Sequence, residues 1–196
     1  MKSKNLNFLK LTALLSFLIL AAAGCNTDNR IKQTKSLKEE IAGSKIRRVT
    51  DAQLVAAVDE WGKEMAVIMQ KGLEKELTQK PGEAAKYCAN LGLVPLIAAI
   101  ESQYEVKIQL LGTLAPENAA LAPKERELMN AYVYNAEKNL PQFDNVQKLN
   151  DTLLVYNAPI PKKSPICQQC FPDQKLPFAI WRILFDKKEV IKRMGK

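Results

Sequence analysis

The chain has 196 residues, with 29 lysines and arginines against 21 acidic residues, a formal net charge of +8, four cysteines and no histidine. Without an imidazole the Ser-His-Asp and Cys-His routes to acyl transfer are closed, and there is no Gly-x-Ser-x-Gly turn and no phosphate loop. The composition therefore points to a binding protein and not to an enzyme.

In chain order, Lys2, Lys4 and Lys10 precede or abut an apolar run from Leu11 to Leu20, and Ala21, Ala22, Ala23 and Gly24 lead into Cys25. A basic start, a short apolar run and small residues before a cleavage point describe a secretory signal, too short to span a membrane as a helix. Small residues leading directly into cysteine also resemble the lipobox of bacterial lipoproteins, which implies lipidation at Cys25 once residues 1–24 are removed. The alternative is an ordinary signal peptide cut near Ala23, with Cys25 a free thiol. The lipobox reading implies a lipid-anchored, periplasm-facing place in the cell envelope, the outer membrane ahead of the inner.

Removal of residues 1–24 leaves 26 basic against 21 acidic groups, a net +5. Seven of those basic residues fall between Asn26 and Thr50, in a stretch with few large apolar side chains. Residues 25–49 therefore read as a basic, flexible tether whose charges suit anionic headgroups. Nucleic acid is not an expected partner, because no aromatic residue alternates with these basic ones. Residues 50–196 are long enough for a single domain with its own core.

Thr50 followed by Gln53 forms a capping box. Leu54, Val58, Trp61, Met65, Ile68, Met69, Leu73 and Leu77 then recur at steps of three and four, which predicts one face of a helix reaching Gln79 and ending at Lys80-Pro81-Gly82. A second helical pattern runs from Glu83 to Gln103 with Ala84, Tyr87, Cys88, Leu91 and Val94 inward and Pro95 as a kink. Together the two predict a helical hairpin. Tyr104 to Leu110 alternates as a half-buried strand does, Pro116 and Asn118 mark a loop, and a short helix is expected over Lys124 to Glu137. Leu140 to Asn150 reads as loop and Thr152 to Asn157 as a second strand. The prolines at 159, 161 and 165 predict an extended approach to Cys167. Residues 178–194 fit a closing hairpin or a C-terminal helix. Glu39 with Glu40, and Glu125 with Glu127, read as solvated surface acids, and Met65, Met69 and Met129 as core.

Several residues together resemble a known family. Cys88 seven residues before Pro95, a strand, Pro116 and Asn118 ahead of Glu125, then Pro159-Ile160 leading to Cys167-x-x-Cys170 is similar to the Tll-type c-type haem domain family over roughly residues 50–172. The resemblance implies an α+β fold, an N-terminal helical hairpin packed on a small antiparallel PAS-like sheet, in a periplasmic haem or sensor domain. It also implies that Cys167 and Cys170 would attach haem c by thioethers and that Cys88 would be a distal iron ligand. The chain departs from the family at the iron, where Phe171 stands in place of histidine, and at the propionates, where Leu114 and Ala115 replace Arg-Asn.

These departures favour a domain that has given up haem, so no cofactor is expected, with haem c bound through Cys88, Cys167 and Cys170 as the alternative. Phe171, Leu114, Pro116 and Asn118 would line what remains of the pocket. Phe171 and Leu114 are expected to fill it, or else to leave a smaller site for a hydrophobic ligand. The expected pairing is a Cys167–Cys170 disulfide with Cys88 a buried core thiol. A zinc site from Cys88, Cys167 and Cys170 would have three ligands of the usual four, and a thioredoxin-like site lacks its βαβ context. The function expected is a sensor-like ligand-binding or interaction domain. Its partners are the membrane through its lipid and either a periplasmic protein or a small hydrophobic ligand.

Overall fold

A computed structural model describes residues 49–195. The signal peptide, Cys25 and nearly all of the tether lie outside the described residues. The fold is mixed α+β, as expected: a long helix and several short ones around a four-stranded antiparallel sheet.

Helix α1 (Asp51–Gln79) is opened by the capping box, with Thr50 Oγ1 accepting from Gln53 N–H at 3.3 Å and Gln53 Oε1 accepting from Thr50 N–H at 2.9 Å. It buries Leu54, Val58, Met65, Met69, Leu73 and Leu77, with Ala57, Gly62, Ala66 and Gly72 filling the closest approaches. Ile68, read as inward, is exposed, because small residues and not Ile68 occupy the contact line at that turn. Each fully buried leucine contributes about 1.5–3 kcal/mol, so Leu73→Ala would remove both that burial and the fit around it.

The second helical pattern is broken into a 3-10 turn, α2 (Ala84–Ala89), a further 3-10 turn and α3 (Pro95–Tyr104). Asn90, whose side chain accepts from Gly92 N–H, takes the chain out of α2, and Pro95 begins α3 at a position where a missing N–H costs nothing. The predicted strand is β1 (Lys107–Leu111), and α4 (Pro123–Glu137) begins at Pro123, with Glu125 reaching back to accept from Ala122 N–H at 3.0 Å.

Two expectations change here. A strand, β2 (Asn145–Lys148), lies within the stretch read as loop. It carries one apolar residue, Val146, so it shows no hydrophobic alternation, and pairing with β3 (Leu153–Pro159) holds it. The expected extended approach to Cys167 instead ends in a short helix, α5 (Pro165–Gln169), capped by Ser164, whose hydroxyl accepts from Ile166 N–H. The C-terminal segment is half of each alternative: strand β4 (Ile180–Asp186) followed by helix α6 (Lys187–Met194). Asp186 accepts from Lys188 N–H and so starts a helix where a hairpin turn was possible.

The sheet order is β1-β4-β3-β2. On one face Ile108, Trp181, Ile183, Phe185, Leu154, Tyr156 and Ala158 meet α1 and α3 in the main core. On the other face Leu111 and Ile180 pack against Met129, Tyr132 and Ala136 of α4 in a second, smaller core. That second face also holds a buried ion pair. Arg182 donates from Nε to Glu125 Oε1 at 2.7 Å and from a terminal nitrogen to Glu125 Oε2 at 3.1 Å, tying α4 to β4. Glu125, read as surface, is 1% exposed. Glu127 is exposed, as expected.

Candidate functional site: the clefts beside the Cys88–Cys170 disulfide

α5 begins where Ser164 caps it and Pro165 supplies its first residue, so the turn of Cys167 to Cys170 is laid against α1. Ser164 Oγ donates to Glu74 Oε1 at 2.6 Å, which fastens the start of α5 to α1. One helical turn separates the two cysteines, and they face different surroundings. Cys167 points into the main core, 1% exposed, with its thiol 3.6 Å from the Pro161 carbonyl oxygen. Cys170, at the end of the turn, is half-buried and bonded to Cys88 of α2, with a Cα–Cα distance of 5.2 Å.

The expected Cys167–Cys170 pairing is therefore corrected: the disulfide is Cys88–Cys170, and the core thiol is Cys167. Burial next to Ile166 and α1 turns Cys167 away from its neighbour in the pair, while Cys170 meets α2 across the surface. Burial pushes the Cys167 thiol up to about 11, with the Glu74 carboxylate adding to the effect, so it is protonated and a poor nucleophile at neutral pH.

After Cys170 the chain turns against the end of β1. Gln174 accepts from Thr113 N–H through its side-chain oxygen. Gly112 lies so near that a Cβ there would come 2.8 Å from both Gln174 side-chain atoms and from the Phe171 ring. A side chain at 112 would have to push aside the Gln174 amide and the Phe171 ring, so the 171–174 turn closes onto the strand most readily at a glycine. Neither Gly112 nor Gln174 was legible as a site residue, since the turn that unites them joins segments about sixty positions apart.

Two clefts flank this junction. The larger, about 490 Å³, has Cys88, Asn90, Glu101, Gln109 and Asn118 among its lining. The smaller, about 250 Å³, is walled by Gly112, Leu114, Cys170, Phe171, Pro172 and Gln174 and is largely apolar. The fold thus brings together Cys88, Cys170, Phe171, Leu114 and Asn118 from the expected set. Phe171 is half-buried and packs on the main core. Leu114 fills nothing: it is 69% exposed at the rim of the smaller cleft. Pro116 sits in the 3-10 turn Ala115–Glu117, and Asn118 closes that turn with its side-chain oxygen accepting from Ala120 N–H at 2.9 Å.

The donors present do not suit covalent haem. Cys170 and Cys88 have spent their thiols on each other, Cys167 is enclosed, and Phe171 offers no lone pair to iron. The three cysteines do not converge either, and among the described residues no group of three or more His, Cys, Asp or Glu side chains is placed to hold a metal ion. Comparison with protein-family models, with curated proteins and with solved structures returns no match.

Proposed function

We propose that this chain is a lipid-anchored, periplasm-facing binding domain of the sensor type, resembling a c-type haem sensor domain whose cofactor position has been given over to a disulfide. The Cys88–Cys170 bond carries the reading. The resemblance assigns Cys170 to haem attachment and Cys88 to iron, and one covalent bond between them ends both roles while holding α2 against the turn after α5. What remains beside Phe171 is an apolar cleft of about 250 Å³, at or just below the lower end of the range for small-molecule sites. A small hydrophobic ligand entering past Leu114 is the occupant this cleft suits. The lipid on Cys25 would hold the domain at the membrane surface, with residues 25–49 as a tether able to rest on anionic headgroups.

Two measurements test this. Protein made together with a haem-attachment apparatus is expected to show no Soret band, and a strong band of the two-thioether type would overturn the haem-free reading. The unlipidated Cys25→Ser chain is expected to bind an apolar fluorophore such as anilinonaphthalene sulfonate, displaceable by a medium-chain fatty acid. Leu114→Asp, at an exposed position, should abolish that binding and leave the fold intact. Equal binding by Leu114→Asp would rule the cleft out.

A further inference from the structure

The sheet order makes β1 an edge strand, with no strand of the described residues on its other side. The Ile108 N–H donates to Glu101 Oε1 at 3.0 Å and so points away from β4. In an antiparallel pair the backbone groups of alternate residues turn to the same side. Lys107, Gln109 and Leu111 therefore bond to Leu184, Arg182 and Ile180 of β4, while Ile108 and Leu110 present their backbone groups to the free edge. The Ile108 C=O and both the N–H and the C=O of Leu110 stand there without a backbone partner among the described residues. Such groups are obligatory hydrogen-bonders.

This edge lines the cleft of about 490 Å³ that Cys88 to Gly92 also line, a segment held by the Cys88–Cys170 bond. The volume lies within the range of about 300–1,000 Å³ for small-ligand sites, and the lining is mostly polar. Asn90 and Asn118 spend their side-chain oxygens on Gly92 and Ala120 N–H at 3.2 and 2.9 Å, which leaves both amide nitrogens to donate. Glu101 is half-buried and is the one charged residue in the lining. Its Oε1 holds the Ile108 N–H, and its Oε2 has no hydrogen bond or ion pair among the described residues.

A row of backbone donors and acceptors is matched by another backbone, in the manner of strand addition to a sheet edge. Glu101 decides where such a strand ends and which way it runs. An added strand stops where the Ile108 N–H is already taken, and the carboxylate there repels a terminal carboxylate and attracts an ammonium. We propose that this cleft binds a short extended peptide with a free N-terminus, laid parallel to β1 as a fifth strand. The ammonium of its first residue pairs with Glu101 Oε2. Its second residue donates N–H to the Ile108 C=O and accepts from the Leu110 N–H, and its fourth donates to the Leu110 C=O, which is the evenly spaced pattern of a parallel pair. The amide nitrogens of Asn90 and Asn118 are the donors available to carbonyls on its outer edge. Recognition falls on the backbone and the amine more than on side chains. This site is separate from the apolar cleft beside Phe171, and the proposal stands whether or not that cleft takes a ligand.

The mature chain with its anchor, held in detergent, would be titrated calorimetrically with tetra-alanine and with three alanine tetrapeptides carrying valine, threonine or phenylalanine at the second and fourth positions. Each would be compared with its N-acetylated form and with a form N-methylated at the second residue. At least one free-amine peptide is expected to bind and to slow hydrogen exchange of the Leu110 amide. Acetylation and N-methylation are each expected to cost about tenfold or more in affinity. Glu101→Gln, which keeps an acceptor for the Ile108 N–H and removes the charge, should bind the free-amine peptide as weakly as the parent binds the acetylated one. Absence of binding by all four peptides overturns the proposal. So does unchanged affinity after acetylation, after N-methylation or in Glu101→Gln, or binding that leaves the Leu110 amide exchanging as before. A Leu110 amide already protected without peptide, in a chain that sediments as a dimer, would assign the edge to a second copy and overturn it as well.

Discussion

Gly62 of α1 lies beneath the ring of Tyr156 on β3, so close that a Cβ at residue 62 would fall inside the ring's van der Waals envelope. The atoms it would meet are at the base of the ring, which the strand backbone holds in place, so the helix itself would have to retreat. Gly62→Ala is expected to destabilise the domain by about 1–3 kcal/mol, the usual cost of overpacking, despite alanine's better helix propensity. Gly72→Ala meets Leu96 Cβ and Cδ1 at 3.2 Å, a contact relieved by a small shift between the helices, and should stay within about 1 kcal/mol of the parent. Urea unfolding of both variants checks the contrast, and equal stabilities would contradict the packing described.

The Cys88–Cys170 bond closes a loop of 82 residues, for which chain entropy predicts about 4.5 kcal/mol, far more than a bond between Cys167 and Cys170 would give. Cys88→Ser and Cys170→Ser should therefore each lower the urea midpoint strongly and by similar amounts. Alkylation of the native Cys25→Ser chain should label no cysteine, and after denaturation without reductant it should label Cys167 alone. Two labelled cysteines in the native state would remove the disulfide from the description.

Breaking the Glu125–Arg182 pair from either side strands a buried charge. Glu125→Leu and Arg182→Leu are each expected to cost about 3–5 kcal/mol, while the double variant, which buries no charge, should lose less than the sum of the two. Equilibrium unfolding of the cycle measures the coupling, and additive losses would mean that the two side chains do not pair in solution.

Because folding raises the Cys167 thiol from 9.0 to about 11, the native state holds its proton where the unfolded chain has lost it. That contribution to stability is complete below pH 9 and falls away between pH 9 and about 11, by about 3 kcal/mol at most. Tyr132 and Tyr156 are also pushed up, chiefly by burial, and weaken the fold in the same direction at still higher pH. Cys167→Ala should flatten the first part of the decline and leave the second. An identical pH profile in that variant would show that the thiol is not the group responsible.

The proposed lipid anchor is tested at Cys25. Cys25→Ala is expected to leave the chain unprocessed or to release it from membranes, read by fractionation and by its mobility on a gel. A variant that fractionates and migrates like the parent would rule out acylation at this residue.

Periodicity alone determined the long first helix, because apolar spacing from Leu54 to Leu77 and a capping box act locally and need no partner to be recognised. The α+β class followed in the same way from the change of period after Tyr104. Local signals failed where the chain depends on distant segments. β2 has almost no apolar pattern and exists because β3 pairs with it. Asp186 carries equal promise as turn or cap until α6 finds α1 to pack against. The same holds at the sites. Cys167-x-x-Cys170 named two residues of interest, but their partners depend on which side of one short helical turn faces the core, and that is set by α1 and α2 from eighty or more positions away. Glu125 looked like a surface acid because an acidic residue near the start of a helix usually is one. Only the register of β4, which turns Arg182 to the second face, places a cation against it.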